Sequence, residues 1–308
     1  MNTGATHTHC DKSIAIVLAS NDEYAMPLLT TAYSVLKNLN TLYSLKIYII
    51  SDNISQENKQ KIIKGLSNIG KLYDIIWISL EHNYFSELKS YSYLGRAAYL
   101  RLLSPSLINE ESVIYLDCDI ICNIDLSELY DYDTKGMALS AVQDSIIKNI
   151  YGGILNWDCQ YLDHKLPYFN TGFLIMNLDL FRSNNLSKEI ISNLLANSSV
   201  YRYADQDGIN AVLCGNINSI NYKWNIQVLS DIKYISNKCV IHYTGEDKPW
   251  KSINGLVRSP KYFIPFYKTL YESMYYSKLE YTRFIFRLAS NKVKDVLLRK
   301  VLHPISRT

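Results

Sequence analysis

The first 80 residues alternate between short apolar runs and segments with helical spacing. Runs at 13–19, 46–50 and 75–78 are rich in β-branched residues and predict buried strands. Between them, apolar residues recur at helical spacing from Leu28 to Leu39 and from Ile62 to Ile69. Such alternation requires a largely parallel sheet with helices on both faces. We therefore predict an α/β fold with a Rossmann-like, mixed but mostly parallel sheet flanked by helices.

The later chain continues the pattern up to about Pro249 and then changes character. Further strands are predicted at 113–116, 138–142, 172–176, 217–220 and 239–242, and helices at 92–103, 187–196 and 207–213. Residues 261–308 carry ten Lys and Arg against three acidic residues, a charge of +7, which leaves residues 1–260 at 3 − 7 = −4. We divide the chain into an α/β domain at 1–255 and a basic, aromatic helical tail at 256–308.

The cysteine pattern and the hydropathy of the chain limit the class of protein to which it can belong. The six cysteines form no CxxC pair or spaced framework, so we expect reduced thiols and neither disulfides nor zinc. No apolar stretch approaches the roughly 18–20 residues of a membrane span, and the start of the chain is unlike a signal peptide. We expect a cytoplasmic protein. Nothing in the sequence indicates nucleic-acid binding.

The segment VIYLDCDIICNIDL places Asp117 and Asp119 directly after an apolar strand. In an extended chain, two residues two apart point to the same side. At the carboxyl end of a buried strand such carboxylates repel each other unless a cation lies between them. Mn²⁺ and Mg²⁺ prefer these hard oxygen ligands. From this motif alone, a strand-end turn with two solvated carboxylates is the alternative.

A second strand end, VIHYTGEDKPW, adds complementary chemistry. His242 is a plausible nitrogen ligand for the same cation, Gly245 allows a phosphate to approach the backbone, and Lys248 supplies a positive charge. A histidine with a purely structural role is the alternative for His242. The glycine and lysine that follow it favour the ligand interpretation.

At this point the chain resembles the bacterial lipopolysaccharide-type members of glycosyltransferase family 8, the family that includes glycogenin. The resemblance is carried, in order, by IAIVLASNDEYA, YLRL, VIYLDCDII, YFNTGFLIMNL, DQDGIN and HYTGEDKPW. It implies a GT-A fold in the first domain, which would bind a nucleotide sugar and the acceptor. It further implies a Mn²⁺ or Mg²⁺ cofactor, a UDP-glucose or UDP-galactose donor, and transfer with retention of anomeric configuration.

The resemblance also assigns residues on the donor side. It implies metal binding by Asp117, Asp119 and His242, uracil and ribose contacts by Ala19, Asn21 and Tyr24, and diphosphate contacts by Gly245 and Lys248. Asn21 departs from the family pattern, in which an aspartate is frequent, so the details of base recognition differ here. An exposed tyrosine at a helix start is the alternative for Tyr24.

On the sugar side, the resemblance assigns Arg101 to the donor sugar and phosphate and Asn170 to a sugar hydroxyl. Asp144 matches a sugar- or acceptor-side carboxylate, with a simple turn residue as the alternative. By the same resemblance Asp205 binds sugar hydroxyls, and the Gln206 side-chain oxygen lies beneath the anomeric carbon. Asp207 we assign to helix capping.

Gln206 bears on the mechanism because an amide oxygen is a weak nucleophile, whereas double displacement requires a carboxylate. Gln206 is therefore expected to stabilise oxocarbenium-like charge while the acceptor attacks from the leaving-group face. Whether Asp205 instead acts as the nucleophile stays open at this point.

Three other functions compete with a transferase. A haloacid-dehalogenase-type phosphatase would carry its DxD motif on the first strand, and here the motif begins at Asp117. A sugar-1-phosphate nucleotidyltransferase would carry a glycine-rich loop after that strand, where this chain has ASNDEYA. A non-catalytic glycan or nucleotide-sugar binder of the same fold is the third. The presence of Asp117, Asp119 and Gln206 argues against it.

The tail combines aromatic, aliphatic and basic residues, and its spacing from 281 to 301 predicts one or two amphipathic helices. A basic amphipathic helix suits an anionic membrane surface. We keep two hypotheses for residues 261–308: peripheral contact at the inner face of the plasma membrane, or helices packed on the domain. Membrane contact would suit a lipid-linked carbohydrate acceptor, and lipopolysaccharide, another surface polysaccharide and a glycoprotein glycan all stay open as products.

Overall fold

The computed structural model of the protein describes residues 12–80, 85, 96–154, 165–228 and 236–302. The strands in this part of the chain are β1 Ser13–Asn21, β2 Ser44–Asp52, β3 Tyr73–Ser79, β4 Ser112–Leu116, β5 Ile120–Cys122, β6 Leu139–Gln143, β7 Phe169–Asn177, β8 Ile217–Ser219, β9 Ile226–Gln227 and β10 Val240–His242. The α-helices are α1 Ala25–Asn38, α2 Gln56–Ser67, α3 Ser104–Leu107, α4 Ile150–Gly153, α5 Leu178–Ser183, α6 Leu186–Ala196, α7 Asp205–Val212, α8 Asn254–Arg258, α9 Pro260–Glu272 and α10 Lys278–Leu302. Short 3₁₀ helices are Asp22–Tyr24, Arg96–Leu103, Leu126–Leu129 and Tyr222–Trp224.

The main sheet of the described chain has seven strands in the order β3-β2-β1-β4-β7-β6-β8. Strands β1, β2, β3 and β4 run parallel, and β6 runs parallel to β8. Strand β7 is antiparallel to both of its neighbours, β4 and β6. The predicted mixed, mostly parallel sheet is thus confirmed, and its parallel strands direct their carboxyl ends to one edge.

A small second sheet has three strands in the order β5-β10-β9. Strand β5 follows β4 after a turn of three residues and pairs antiparallel with β10, which sets His242 opposite Ile120. Strand β9 pairs parallel with β10 on its other side. This pairing returns a segment from near residue 240 to the end of β4, where Asp117 and Asp119 lie.

Hydrophobic cores cover both faces of the main sheet. On one face, α1 and α2 contribute fully buried residues such as Leu28, Leu36 and Ile62. On the other face, side chains from β7 such as Leu174 and Met176 pack against helices that include α5 and α6. The residues at helical spacing in α1 are buried, as are Ile62 and Leu66 in α2, whereas Ile63 of the same predicted face is 45% exposed.

The C-terminal helices pack on the second sheet. Phe263, Phe266 and Leu270 of α9 are buried in a core that also contains Ile121 and Ile241. A further contact lies at Gly65 in α2, where a Cβ atom would approach the Ser273 carbonyl oxygen to 2.7 Å. The first helices of the tail thus share a core with the α/β domain, and the division at 255 stays a prediction.

Two of the predicted helices are described only in part. Of the helix predicted at 92–103, residues 92–95 lie outside the described residues, and Arg96–Leu103 is a 3₁₀ helix rather than an α-helix. Within the tail, α10 is a single long helix, and the side chains of 293–302 lie outside the description. Among the helices that the structure describes, none combines the length and the apolar character needed to cross a bilayer.

Candidate active site

Asp117, Asp119 and His242 converge where β4, β5 and β10 meet. One ligand atom from each lies within 4.8 Å of the others. The sequence argument placed both carboxylates on one side of an extended strand, and that detail is wrong. Strand β4 ends at Leu116, the chain turns through Cys118 and Asp119, and β5 then pairs with β10. The two carboxylates meet through this turn.

His242 is buried and held in one orientation. Its Nδ1 lies 2.9 Å from the Asn225 Oδ1, while Nε2 lies 3.2 Å from Asp119 Oδ1 and 3.7 Å from Asp117 Oδ2. The ring packs directly on β7 at Gly172, where a Cβ atom would come within 2.1 Å of the imidazole Cε1. Glycine at position 172 therefore makes room for the ring.

The surroundings of the Asp119 carboxylate show whether the site suits a divalent cation. Its Oδ1 is buried and accepts no hydrogen bond from any residue in the described part of the chain, although it faces His242 Nε2. Lys248 Nζ bonds the other oxygen, Oδ2. Burial by itself raises the pKa of Asp119, but the Lys248 ammonium acts against burial and the net pKa lies below its ordinary value. An ionised carboxylate with an unpartnered oxygen beside a histidine nitrogen fits a metal ligand set.

Arg101 lies beneath this cluster, 3% exposed. Its Nη2 is 2.8 Å from Asp117 Oδ1, its Nε is 2.8 Å from Asp205 Oδ2, and its Nη1 donates to the Thr171 carbonyl oxygen. The guanidinium lies over the Tyr115 ring, 4.3 Å from its centroid. Burial lowers the pKa of Arg101, but the two carboxylates reverse this effect and raise it above the ordinary value. Arg101 therefore connects the carboxylate cluster to helix α7.

Asp205 and Asp207 at the start of α7 differ in surroundings. Burial raises the pKa of Asp205 to about 7, against the opposing effect of Arg101. Asp207 Oδ2 accepts from the backbone N–H groups of Arg202 and Tyr203 at 2.6 and 2.8 Å, and its Oδ1 accepts from the Tyr168 hydroxyl. Asp207 therefore has a structural role, as expected, but it does not cap the helix: it binds the segment before α7, and the N-cap position, Ala204, makes no side-chain cap bond.

Asp144, Asn170 and Gln206 form a polar group beside the cluster. Asp144 Oδ2 accepts from Asn170 Nδ2 at 3.2 Å and from Gln206 Nε2 at 3.5 Å. Gln206 Oε1 accepts from the Thr171 backbone N–H at 3.1 Å. Asp144 Oδ1 accepts from the N–H groups of Ile146 and Ile147, so the carboxylate also fixes the turn after β6. Asp144 thus combines the turn role with a contact to Gln206.

The residues assigned to the base and ribose lie at the end of β1. The Asn21 Oδ1 accepts from the Tyr24 backbone N–H at 3.2 Å, which caps the helix Asp22–Tyr24. The Tyr24 ring makes an edge contact with Trp250 at 5.5 Å, and burial raises the pKa of Tyr24 to about 12. Ala19 is buried, and its carbonyl oxygen lies 3.3 Å from Cys118 Sγ. These residues border the carboxylate cluster.

Gly245 and Lys248 follow β10. Gly245 has a φ of +78°, a left-handed conformation in which glycine is favoured. This turn returns the chain so that Lys248 Nζ reaches the Tyr243 carbonyl oxygen at 2.6 Å as well as Asp119. The lysine charge is therefore held at the mouth of the carboxylate cluster.

The sequence analysis missed Asn225, Thr171 and Gly172. Thr171 and Gly172 lie inside the YFNTG segment, whose Asn170 was assigned, so the motif itself was the signal. Asn225 lies between the buried residues Trp224 and Ile226 and is 2% exposed. A polar residue in a buried run must find hydrogen-bond partners, and that rule was the signal available for Asn225. The Arg96 side chain lies outside the described residues.

The sequence of the chain is similar to sequences of known glycosyltransferases and related proteins. The sequence model described as "Glycosyl transferase family 8" matches residues 15–254. General stress protein A of Bacillus subtilis is 26% identical over 79% of this chain and 89% of its own length. Lipopolysaccharide 1,3-galactosyltransferase of Salmonella typhimurium is 27% identical over 79% of this chain and 69% of its own length.

Among solved structures, the galactosyltransferase LgtC in complex with donor and acceptor sugar analogs shares the fold. It has a TM-score of 0.70 and 22% identity over 83% of this chain and 95% of its own. The GT-A fold predicted from the sequence is thereby confirmed, and the phosphatase and nucleotidyltransferase alternatives are set aside. The chain belongs to glycosyltransferase family 8 and is a glycosyltransferase.

Proposed function

We propose that the protein transfers a hexose from UDP-glucose or UDP-galactose to a glycan acceptor, with retention of anomeric configuration and with Mn²⁺ or Mg²⁺ as cofactor. The observation that carries the proposal is the convergence of Asp117, Asp119 and His242, with Lys248 beside them, at the end of β4. Arg101 and Lys248 each pair with one oxygen of Asp117 and Asp119, and the buried Asp119 Oδ1 is left beside the His242 nitrogen as a ligand for a divalent cation. A nucleoside diphosphate binds the same kind of cation.

Asp117, Asp119 and His242 would hold the metal ion, which would offset the charge of the diphosphate leaving group. Lys248 adds a fixed positive charge at the same place, since its Nζ is held by Asp119 and the Tyr243 carbonyl oxygen. At Gly245 no atom of the described residues lies within 4 Å of the position of a Cβ atom, which leaves room for a phosphate to approach the backbone. Charges fixed in place before the reaction stabilise a departing anion without reorganisation.

In the transfer step, the bond from the anomeric carbon to the β-phosphate oxygen breaks, and its electron pair leaves with UDP. The acceptor hydroxyl oxygen forms the new bond on the same face, and its proton passes to the departing phosphate oxygen. Gln206 stabilises the positive charge on the sugar through its Oε1. Thr171 orients this oxygen by donating to it from the backbone N–H at 3.1 Å. Asp205 binds sugar hydroxyls, and Arg101 positions it.

The remaining polar residues would contact the two substrates. Ala19, Asn21 and Tyr24 would hold the uracil and ribose, because they border the carboxylate cluster at the end of β1. Asn170 and Asp144 would bind hydroxyls of the donor sugar or the acceptor, since both lie beside Gln206. The galactosyltransferase among the relatives supports a hexose donor and a surface glycan as product.

The tail is proposed to contact an anionic membrane surface, which would suit a lipid-linked acceptor. On α9, the exposed residues Lys261, Ile264, Lys268 and Tyr271 recur at helical spacing along one face. On α10, Leu279, Arg283 and Phe286 are exposed at the same kind of spacing. Faces that combine basic and apolar residues bind anionic lipid.

Deletion of the tail cannot test this contact, because Phe263, Phe266 and Leu270 belong to the core. We expect Lys268→Glu with Arg283→Glu to abolish sedimentation with anionic vesicles and to leave the fold unchanged. Lys64→Glu with Lys188→Glu, an equal charge change on exposed residues of α2 and α6, is the matched control. Equal sedimentation of both double variants would remove the membrane contact from the proposal.

The experiment that tests the proposed function is UDP release from a panel of UDP-sugars, with and without Mn²⁺ and without acceptor. Mn²⁺-dependent release from one hexose donor is expected, and the identity of that donor follows from the same data. UDP binding without release from any donor, even after glycan acceptors are added, would favour the non-catalytic binder. Absence of UDP binding would overturn the nucleotide-sugar assignment.

A further inference from the structure

A chain of side-chain hydrogen bonds runs through the protein interior from His242 to Gln206. His242 Nδ1 lies 2.9 Å from Asn225 Oδ1, and Asn225 Nδ2 donates to Asn170 Oδ1 at 2.8 Å. Asn170 Nδ2 then donates to Asp144 Oδ2 at 3.2 Å, and the same oxygen lies 3.5 Å from Gln206 Nε2. The first four of these residues are each less than 8% exposed. The chain connects the carboxylate cluster to the residue assigned beneath the sugar.

The direction of each bond is fixed by one backbone group. The Gly172 N–H donates to Asn170 Oδ1 at 3.0 Å, so this atom must be the amide oxygen. The Asn225 group that faces Asn170 must then be the amide nitrogen, because two oxygens would repel. Asn225 therefore presents its oxygen to His242 Nδ1, and an oxygen without hydrogen can only accept. Nδ1 must carry the proton.

A proton on Nδ1 leaves the Nε2 lone pair of the neutral ring to face the carboxylates of Asp117 and Asp119. Histidines that bind a metal through one ring nitrogen usually donate the N–H of the other nitrogen to an oxygen, as Nδ1 does here to Asn225 Oδ1. This bond fixes the tautomer and the orientation of the ring. The packing of the ring on Gly172 also restrains the ring orientation sterically. Hydrogen bonding and packing thus both direct Nε2 toward the site.

We propose that Asn225, oriented through Asn170, is a positioning residue that holds His242 in the Nδ1–H tautomer and so sets the affinity of the site for its divalent cation. This inference rests on the proposed metal-dependent function. It adds a residue outside every motif that identified the site, and it makes Asn170 a support of the metal centre as well as a sugar contact.

The test is Mn²⁺ binding to the full chain, followed by the electron paramagnetic resonance signal of free Mn²⁺. Asn225→Leu should weaken binding about 10–100-fold, the usual effect of losing such a partner. Asn225→Asp loses the bond to Asn170 but keeps an oxygen that accepts from Nδ1–H, so it should bind Mn²⁺ more tightly than Asn225→Leu. A purely structural role for Asn225 predicts the opposite order, because a buried carboxylate disrupts the interior more than leucine does.

Asn218 provides matched controls, since it is also a buried asparagine and donates to Tyr132 and Ser140 away from the site. Asn218→Leu and Asn218→Asp should bind Mn²⁺ as the wild type does, even where circular dichroism shows a lower melting temperature. If Asn225→Leu fails to fold, Asn225→Ala takes its place in the comparison with Asn225→Asp.

Wild-type Mn²⁺ affinity in Asn225→Leu would overturn the inference, as would binding in a folded Asn225→Asp that is no tighter than in Asn225→Leu. Failure of the wild-type protein itself to bind Mn²⁺ is a different outcome. It would overturn the proposed metal site, and with it the reason for holding His242 in one tautomer.

Discussion

Arg101 holds Asp117 through a 2.8 Å ion pair beneath the carboxylate cluster, and both residues were assigned to the donor side from the sequence. The guanidinium is 3% exposed and reaches Asp205 at 2.8 Å as well. In this geometry Arg101 acts through its two carboxylates, one in the carboxylate cluster and one at the start of α7. Its planar guanidinium reaches them from two different nitrogens, Nη2 and Nε, an arrangement that the single nitrogen of lysine does not reproduce.

We expect Arg101→Lys to reduce the rate of sugar transfer about 100-fold, because displacement of catalytic groups by about 1 Å has effects of that size. The rate of UDP release at saturating donor measures this effect. Arg258→Lys is the control, since Arg258 pairs with Asp247 on the surface and should tolerate lysine. A transfer rate in Arg101→Lys equal to that of the control would show that the double ion pair is dispensable.

A second prediction concerns stability and pH at Glu110. Its Oε1 lies 2.9 Å from Lys46 Nζ and accepts from the Tyr48 hydroxyl at 2.7 Å. Burial raises the pKa of Glu110, but the hydrogen bonds from Tyr48 and Lys46 prevail, and the net pKa is lowered. A carboxyl whose pKa is lowered by folding stabilises the protein above its unfolded pKa. That stabilisation is lost as pH falls through the folded pKa.

Glu110→Gln should therefore lower the free energy of unfolding by about 1 kcal/mol at pH 7, and the difference should disappear as the pH falls below about 4. Urea denaturation at a series of pH values measures it. Glu57→Gln is the control, because Glu57 pairs with Lys61 on an exposed helix face and should have little effect. A constant difference at all pH values would contradict the ionic origin.

A third prediction links the tail to the donor loop. The Tyr275 hydroxyl donates to Asn58 Oδ1 at 2.5 Å, and Asn58 Nδ2 donates to Asp22 Oδ1 at 2.7 Å, next to Asn21. Loss of one such bond costs about 1 kcal/mol, so Tyr275→Phe should raise the donor KM about fivefold and leave kcat unchanged. The control is Tyr276→Phe, whose ring stacks on Phe284 instead. An equal KM in the two variants would show that the tail does not position the loop.

Strand ends made much of this site predictable from the sequence. Asp117 and Asp119 follow an apolar run that forms β4 of the mostly parallel sheet, and parallel strands direct such ends to a common edge. His242 also ends an apolar run, but its strand β10 belongs to the second sheet, so strand ends alone did not place it beside the carboxylates. Sequence also did not show the turn at Cys118 and Asp119 before β5, which pairs with a strand more than 100 residues away. Helical spacing also could not show that Phe266 is buried against the second sheet. Spacing identifies the apolar face of a helix, but it does not identify the element on which that face packs.

The central claim is that Asp119 contributes to a divalent-cation site required for sugar transfer. The most direct measurement is the rate of UDP release after chelation and after Mn²⁺ is restored, in the wild type and in Asp119→Asn. Asp125→Asn is the matched control, because Asp125 lies on the same segment and only accepts backbone N–H groups from Asn40 and Ser127 among the bonds described. We predict that Mn²⁺ restores the wild type and Asp125→Asn but not Asp119→Asn. A rate that is insensitive to chelation, or equal in all three proteins, would contradict the account.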